Sequence, residues 1–257
     1  MLLEVKDLNI SLTSEKSVAE HISFRLGQGE MLSIVGSSGA GKTTICKAIM
    51  GLLGNAYRAD GEILFQGEDL LDLPERKRQT IYGKEICLIM QNPMTAFNPS
   101  IRVGRQMEKT YLLHHGKTPR QEMQRLFAAI LQKLGLEDTQ RILNSYPFTL
   151  SGGMLQRLMA ALMCQPALLV ADEATTAIDA CNRIGLMREL KSFCKDGMSV
   201  LFVTHDLRSA SVSDRILVMD RGQIVEQGKT EQILNTPKED YTKYLLNACR
   251  LERREMS

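Results

Sequence analysis

The chain of 257 residues carries 32 Lys and Arg against 30 Asp and Glu, and 44% of its residues are hydrophobic. A net charge of +2 at pH 7 argues against a protein that binds chiefly to the backbone of nucleic acids. The apolar content excludes a disordered chain, and the length predicts one or two domains. No pair of its six cysteines is spaced as CxxC, which disfavours a zinc or iron–sulfur site and favours a reducing cytosol.

The first residues and the apolar runs bear on where the protein works. The opening stretch, MLLEVKDLNI, carries acidic residues early and no basic-then-apolar layout, so we expect no signal peptide. No apolar run approaches the roughly 20 residues that span a bilayer. If the protein acts at a membrane, we therefore expect another chain to cross it.

Two kinds of strand are predicted along the chain. In the first ten residues and in His21–Leu26, apolar and polar residues alternate, which favours an antiparallel sheet. Short, mostly apolar runs indicate buried parallel strands. They lie at 31–35, 86–90, 167–172, 199–204 and 215–220. Helical stretches lie between the later runs, and this alternation predicts an α/β fold with a mostly parallel sheet.

A helical insert interrupts the alternation between about 100 and 164. The apolar residues that share one face of an amphipathic helix in this insert are Met123, Leu126, Phe127, Ile130, Leu131 and Leu134. After Gly228 we expect a turn at Asn235–Asp240 and then a short helix that carries Tyr241.

The segment GSSGAGKTT, at 36–44, matches the pattern G-x-x-x-x-G-K-[ST]. In that pattern backbone N–H groups surround phosphate oxygens, Lys42 reaches the β- and γ-phosphates, and the Thr43 hydroxyl takes Mg²⁺. A glycine turn before a helix is the structural alternative, but a buried strand precedes the segment and a predicted helix, Lys42–Gly54, follows it. We expect ATP phosphates to be held by Gly36, Ser37, Ser38, Gly39, Ala40, Gly41, Lys42, Thr43 and Thr44.

Polar residues follow three of the predicted buried strands. Asp172 and Glu173 end LLVADE, Gln91 follows ICLIM, and His205 follows SVLFVT. The carboxyl ends of parallel strands line one ligand crevice. Asp172 therefore suits the surroundings of Mg²⁺, and Glu173 is placed to polarise an attacking water. We expect His205 to contact the γ-phosphate, the alternative being a purely structural hydrogen bond.

A second anion-binding segment lies more than a hundred residues after the first. Ser151, Gly152 and Gly153 precede a run that predicts a helix, and a helix that opens with a small hydroxyl and glycines suits an anion. The loop at 36–44 already has its own helix N-terminus. We therefore expect the second segment to serve a nucleotide held by another chain, so that two chains facing head to tail would bury two ATP molecules.

Taken together, these motifs resemble the nucleotide-binding subunits of ATP-binding-cassette (ABC) transporters. The resemblance covers about residues 2–228 and rests on 36–43, Gln91, LSGGMLQR, LLVADE, TAID and His205, in that order. It implies that Gln91 and His205 act in catalysis with Glu173. It also implies that Gln91 joins Thr43 and Asp172 at Mg²⁺, and that the residues in trans to the partner's ATP are Ser151, Gly152, Gly153, Gln156 and Asp179.

A finer resemblance concerns the importers of oligopeptides, dipeptides and nickel. The loop IMQNPMTAFNPSIRVGRQM, the YPF before the LSGGMLQR motif and the tail GQIVEQGKTEQILNTPKEDYTKYLL are similar to that group. Within the group, IMQNP with AFNP, at 89–99, and YPFTLSGGMLQR, at 146–157, are most like the nickel-import branch. This implies an ATPase at the cytoplasmic face of a bacterial membrane, with two membrane-spanning permeases, a second ATPase and an extracellular binding protein. Peptide cargo remains the alternative to nickel or a related metal complex, and a homodimer remains an alternative to a pair of paralogues. A cassette ATPase that acts on nucleic acid or ribosomes is disfavoured.

The sequence departs from the family pattern where adenine would be held and in the loop after Glu173. The family usually stacks adenine on an aromatic side chain, but the matching place near Thr13 is polar. We therefore expect a loose grip on the base and a weak preference for ATP over GTP. Ala174 and Ile178 replace the usual proline and leucine and leave both nearby carboxylates in place.

The resemblance also divides the chain. We expect one ATP-binding domain over 1–257, in which 1–90 and 165–228 form a P-loop, RecA-like core with a mostly parallel sheet and an antiparallel β piece. We expect a helical subdomain at 91–164 and a C-terminal tail at 229–257. Near Met94, Phe97 and Pro99 we expect a helix of the permease to dock, the alternative for Phe97 being plain core packing.

Overall fold

The computed structural model describes residues 1–89, 93–162, 166–173 and 180–255. The strands are β1 (Leu3–Leu12), β2 (Ser17–Leu26), β3 (Met31–Val35), β4 (Tyr57–Phe65), β5 (Glu68–Asp69), β6 (Ile86–Ile89), β7 (Leu168–Asp172), β8 (Ser199–Thr204), β9 (Arg215–Asp220) and β10 (Gln223–Lys229). The helices are α1 (Lys42–Ile49), α2 (Glu75–Ile81), α3 (Val103–His115), α4 (Arg120–Lys133), α5 (Thr139–Asn144), α6 (Gly152–Leu162), α7 (Ala180–Cys194), α8 (Leu207–Ala210), α9 (Thr230–Asn235) and α10 (Asp240–Glu255). Short 3₁₀ turns lie at Pro93–Thr95 and Pro147–Thr149.

The described strands form two sheets, as the sequence predicts. The larger sheet has the order β10-β9-β3-β8-β7-β6, and its pairs are parallel except where β10 runs antiparallel to β9. The smaller sheet has the order β2-β1-β4-β5 and is antiparallel throughout. The fold class is therefore α/β with a mostly parallel core sheet and an antiparallel β piece, as predicted.

The central strands of the larger sheet are buried on both faces because each face is covered by a different layer. In β7, Leu168 and Val170 pack in the core that contains the antiparallel sheet and α1. Leu169 and Ala171 pack in the core that contains α4 and α6. Since successive side chains of a strand point to opposite faces, α1 and α6 lie on opposite faces of the same sheet.

Between β6 and β7 the described residues form four α-helices, α3 to α6, joined by turns and short loops. Helix α4 has the predicted amphipathic face, and its buried side chains are Met123, Phe127, Ile130 and Leu131. Phe97 belongs to the same core and is only 4% exposed. Phe97 therefore packs in the core, the alternative that the sequence left open to contact with a permease.

Two helices differ in length from the prediction. Helix α1 ends at Ile49 instead of Gly54, because Gly51 has a φ of +63° and the N–H of Leu52 donates to the carbonyl of Lys47 at 2.7 Å. Together with the bond from Gly51 N–H to Ala48 O, this is a Schellman ending, which the apolar run GLLG does not reveal. Near the C-terminus, α10 is a long helix of 16 residues rather than a short one, and α9 before it is not predicted.

Two helical glycines differ sharply in the space that a methyl group would find. A Cβ on Gly104 of α3 would lie 2.7 Å from the carbonyl oxygen of Leu143, whereas a Cβ on Gly185 of α7 meets no described atom within 4 Å. We predict that Gly104→Ala lowers the free energy of unfolding by about 1–3 kcal/mol through overpacking. Gly185→Ala should raise it by about 0.5–1 kcal/mol, because alanine favours the helix. Urea unfolding of both variants checks this, and a shift of the same sign in both would contradict it.

Candidate functional site

The phosphate loop connects β3 to α1 and needs glycine at both of its ends. A Cβ on Gly36 would lie 2.2 Å from the carbonyl oxygen of Met219 in β9, so the loop leaves the sheet in a gap too narrow for a side chain. Gly41, just before α1, has a φ of +92°, and a Cβ there would lie 2.7 Å from the carbonyl of Val18. Between them, residues 37–39 are exposed and Ala40 is buried.

Lys42 is buried at the base of this loop. Its ammonium donates to the carbonyl of Gly36 at 2.8 Å and to that of Ser37 at 2.7 Å. Burial lowers the pKa of Lys42, while the charges of Glu173 and Asp172 oppose that shift. The ammonium is thus held under the loop between backbone carbonyls and two acids, a position from which it can interact with phosphate oxygens.

Asp172 and Thr43 meet at the edge of the parallel sheet. Asp172 is the last residue of β7, and its Oδ1 accepts a hydrogen bond from the Thr43 hydroxyl at 3.1 Å. Burial raises the pKa of Asp172, and the hydrogen bond from Thr43 works against that rise. A hydroxyl beside a carboxylate is the kind of oxygen pair that Mg²⁺ binds, so these two residues fit the metal predicted from the sequence.

Glu173 and His205 lie beside each other after adjacent strands. Glu173 has a φ of +46°, which is uncommon for a residue with a side chain, and its N–H donates to Val203 of β8 at 2.9 Å. Its Oε1 is 3.6 Å from Nδ1 of His205, longer than a hydrogen bond. The backbone strain, on the order of 1–3 kcal/mol, is typical of functional positions, and the two side chains lie side by side at the same edge of the sheet.

Two neighbours of His205 fix its backbone and were missed by the sequence analysis. The Thr204 hydroxyl accepts the N–H of Asp206 at 3.0 Å. The Asp206 carboxylate in turn caps α8 by accepting the N–H groups of Arg208 and Ser209. An aspartate directly before LRSA is a recognisable helix N-cap signal, and this signal could have marked the residue after His205 as part of a rigid turn.

The second predicted anion segment has the geometry of a capped helix N-terminus. The Ser151 hydroxyl accepts the N–H of Met154 at 3.3 Å, and its carbonyl accepts that of Leu155 at 3.0 Å. Gly152 and Gly153 form the first turn of α6. Because α6 packs on the face of the sheet opposite α1, the phosphate loop and this helix N-terminus lie in different layers of one chain.

The predicted site residues therefore divide into three groups. The structure brings Lys42, Thr43, Asp172, Glu173 and His205 together at the carboxyl ends of β3, β7 and β8. It sets 151–153 in another layer of the molecule. Gln91 and Asp179 lie outside the residues that the structure describes, as does the side chain of Gln156. Near the predicted base position, Thr13 is exposed in the turn between β1 and β2.

The fold and this site define a P-loop ATPase. The chain matches the family model described as ABC transporter over residues 19–176, and it belongs to that family. It is 40% identical to the metal-staphylopine import system ATP-binding protein CntD of Staphylococcus aureus, with 96% of this chain and 92% of the relative covered. It is 41% identical to the oligopeptide transport ATP-binding protein OppD of Bacillus subtilis, with 95% and 71% covered.

A solved structure of an ABC transporter cassette has the same fold as this chain. The dimeric bacterial ABC transporter cassette MJ0796 matches with a TM-score of 0.78 at 25% identity, and the match covers 89% of this chain and 99% of that one. The protein is thus the ATP-binding subunit of an ABC importer, and it is an ATPase. In the described part of the chain, no helix is long and apolar enough to cross a bilayer.

The raised pKa of Asp172 predicts that this carboxylate opposes folding when neither nucleotide nor metal is bound. A raised folded-state pKa makes the charged form costly, so stability is lost as the pH rises from the ordinary value of 3.8 through the folded value. We predict that Asp172→Asn raises the unfolding temperature of the nucleotide-free chain by about 2–4 °C at pH 7. The gain should shrink as the pH falls toward 4.

Thermal unfolding in EDTA at several pH values measures this difference. Asp196→Asn is the control, because Asp196 forms a surface pair with Lys133 at 3.0 Å and such pairs contribute little. A lower unfolding temperature for Asp172→Asn at pH 7 would contradict the prediction, as would a gain that does not depend on pH.

Proposed function

We propose that this chain forms half of a two-site ATPase in which each ATP lies between the phosphate loop of one subunit and Ser151–Gly153 of a second subunit. The observation that supports this is the packing of α1 and α6 on opposite faces of one sheet. A chain built in this way cannot readily aim both helix N-termini at the same phosphates. A partner in head-to-tail orientation can supply the missing one, and the related cassette MJ0796 is itself described as dimeric.

Each part of the site has a role in this proposal. The loop at 36–44 and Lys42 bind the ATP phosphates, and Glu173 accepts a hydrogen bond from the attacking water. The water oxygen bonds to the γ-phosphorus while the bond from that phosphorus to the β-phosphate oxygen breaks, so ADP and phosphate leave. His205 and Gln91 contact the γ-phosphate and stabilise the charge that spreads over its oxygens.

The remaining site residues are assigned to the metal and to the partner's nucleotide. Thr43 and Asp172, with Gln91, are proposed to hold Mg²⁺, which when bound neutralises phosphate charge. The residues proposed to reach the ATP of the second subunit are Ser151, Gly152, Gly153, Gln156 and Asp179. Donors at a helix N-terminus stabilise a γ-phosphate only while ATP is present, so hydrolysis would weaken the dimer and reopen it.

The permease is proposed to dock on the surface formed by residues 94–101, between β6 and α3. Met94 is 41% exposed and Ile101 is 40% exposed, and Pro99 is also exposed. Phe97 packs underneath in the core, so it supports this surface rather than forming part of it. Hydrophobic side chains on a surface suit an amphipathic helix of a partner. Gln91, which precedes this segment, would couple the state of the nucleotide to that contact.

For the cargo we propose nickel or a related metal complex. The nickel-like motifs at 89–99 and 146–157 support it, together with the likeness to CntD, whose name states metal-staphylopine import. Oligopeptides or dipeptides are the second candidate, because OppD is named for oligopeptide transport. The subunit would work at the cytoplasmic face of the membrane with two permeases and an extracellular binding protein.

The role of Glu173 can be separated from ATP binding. We predict that Glu173→Gln binds ATP with an affinity within about threefold of the wild type but loses at least about 100-fold in turnover, because the amide no longer activates water. Glu68→Gln, which alters only an exposed pair with Lys77, is the control. Calorimetry and phosphate release measure the two quantities, and a wild-type rate in Glu173→Gln would refute the role.

The same variant tests the cargo in cells that express the whole transporter. With wild-type chain we expect uptake of radioactive nickel that disappears with Glu173→Gln, while uptake of a labelled dipeptide is the same with both. Loss of dipeptide uptake alone would favour the second candidate and exclude nickel.

The composite site predicts that turnover depends on a second subunit. We expect the purified chain alone to hydrolyse ATP at a negligible rate and to become active when the ATPase encoded beside it is added. Phosphate release over a concentration series measures this. If the chain alone is active and its rate rises as the square of its concentration, it forms a homodimer, and the pairing with a paralogue is wrong.

A further inference from the structure

The phosphate loop is contacted by a residue that follows it by about two hundred positions. The backbone N–H of Ser37, the second residue of the loop, donates a hydrogen bond to the Tyr241 hydroxyl at 3.1 Å, across a separation of 204 residues. Tyr241 is the second residue of α10. The nucleotide motifs do not include this helix, so the contact links a segment of no assigned role to the ATP site.

The Ser37 residue is held from both of its peptide groups. Its N–H is bonded to Tyr241, and its carbonyl accepts the Lys42 ammonium at 2.7 Å. The carbonyl also accepts the N–H of Ala40 at 3.3 Å. Residues 37–39 are exposed, so the first turn of the loop depends on these backbone contacts for its shape.

Tyr241 is itself fixed relative to the strand that leads into the loop. Its ring packs against the core cluster that contains Val35, the last residue of β3. The chain just before α10 is also anchored, because the Glu226 carboxylate accepts the N–H groups of Lys238 at 2.8 Å and Glu239 at 3.2 Å. Glu226 lies in β10, which is joined through β9 to β3. These contacts fix the position of the Tyr241 hydroxyl relative to the sheet from which the phosphate loop leaves.

We propose that Tyr241 is a positioning residue of the nucleotide site: its hydroxyl holds the Ser37 peptide so that the phosphate loop is already shaped for the phosphates of ATP. A loop that is ordered beforehand binds more tightly, since less conformational freedom is lost on binding. Tyr241 itself touches no nucleotide in this scheme. The inference rests on ATP binding by this chain, and it extends the site to the C-terminal helix.

The variant Tyr241→Phe removes the hydroxyl and keeps the ring. The matched control is Tyr244→Phe on the same helix, because Tyr244 is 67% exposed and its ring stacks beside that of Tyr241 at 6.5 Å between centroids. Calorimetry with the full chain measures the affinity for ATP and for inorganic triphosphate, which has no base. Amide exchange of peptides that cover 36–44, without nucleotide, reports on the loop directly.

The expected result is a loss of about three- to tenfold in affinity for ATP in Tyr241→Phe, the range that one neutral hydrogen bond provides. The loss for triphosphate should be equal, and amide exchange in the loop should be faster. Tyr244→Phe should match the wild type in all three. The exchange measurement, made below the unfolding temperature of each variant, distinguishes a looser loop from a less stable fold.

Three results would overturn the proposal. The first is an affinity for ATP and triphosphate in Tyr241→Phe that stays within twofold of the wild type. The second is a loss for ATP with none for triphosphate, which would place the effect on the base. The third is unchanged loop exchange with a lowered unfolding temperature, which would make Tyr241 a structural residue of α10 only. Failure of the wild type to bind either ligand would instead count against the proposed ATP site.

Discussion

Parallel pairing of β3 with β8, and of β8 with β7, is the constraint on which the site depends. The register sets Val35 opposite Thr204 and Asp172 opposite Val203, so three strands end at one edge of the sheet. The residues that follow these strands are the phosphate loop, Glu173 and His205. Shifting the register of one strand by a single residue would turn its side chains to the other face and would separate these groups.

The same edge concentrates charge where burial makes charge costly. Lys42 has a lowered pKa and Asp172 a raised one, and burial is the leading cause of both shifts. The Glu173 backbone also lies in the left-handed region. Packing elsewhere offsets these costs, since β3 and β8 are buried along their whole length. A site that is destabilised when empty leaves room for ATP and metal to stabilise the folded chain by binding.

The two faces of the larger sheet are covered by different layers of the molecule. One face carries α1 and the antiparallel sheet. The other carries helices that include α4 and α6, and α6 is the helix that follows Ser151. Helices on both faces are what a buried parallel sheet requires. Here the same packing puts the N-terminus of α6, which is proposed to contact a second ATP, in a different layer from the chain's own phosphate loop. The proposal therefore needs a second subunit. Tyr241 adds a third element, since α10 reaches the loop from the end of the chain.

The strand runs, the phosphate loop and the acids at the end of β7 could be predicted from the sequence, because each depends on local periodicity or on a short motif with fixed backbone chemistry. The amphipathic face of α4 followed in the same way. The end of α1 at Ile49 could not be predicted, because the Schellman bonds at Gly51 compete with an apolar run that equally suits a longer helix. Three other features depend on residues that are far apart in the chain. They are the burial of Phe97, the 3.6 Å separation of Glu173 from His205, and the contact of Tyr241 with Ser37. Only the tertiary structure decides these, since no local pattern records which distant surfaces pack together.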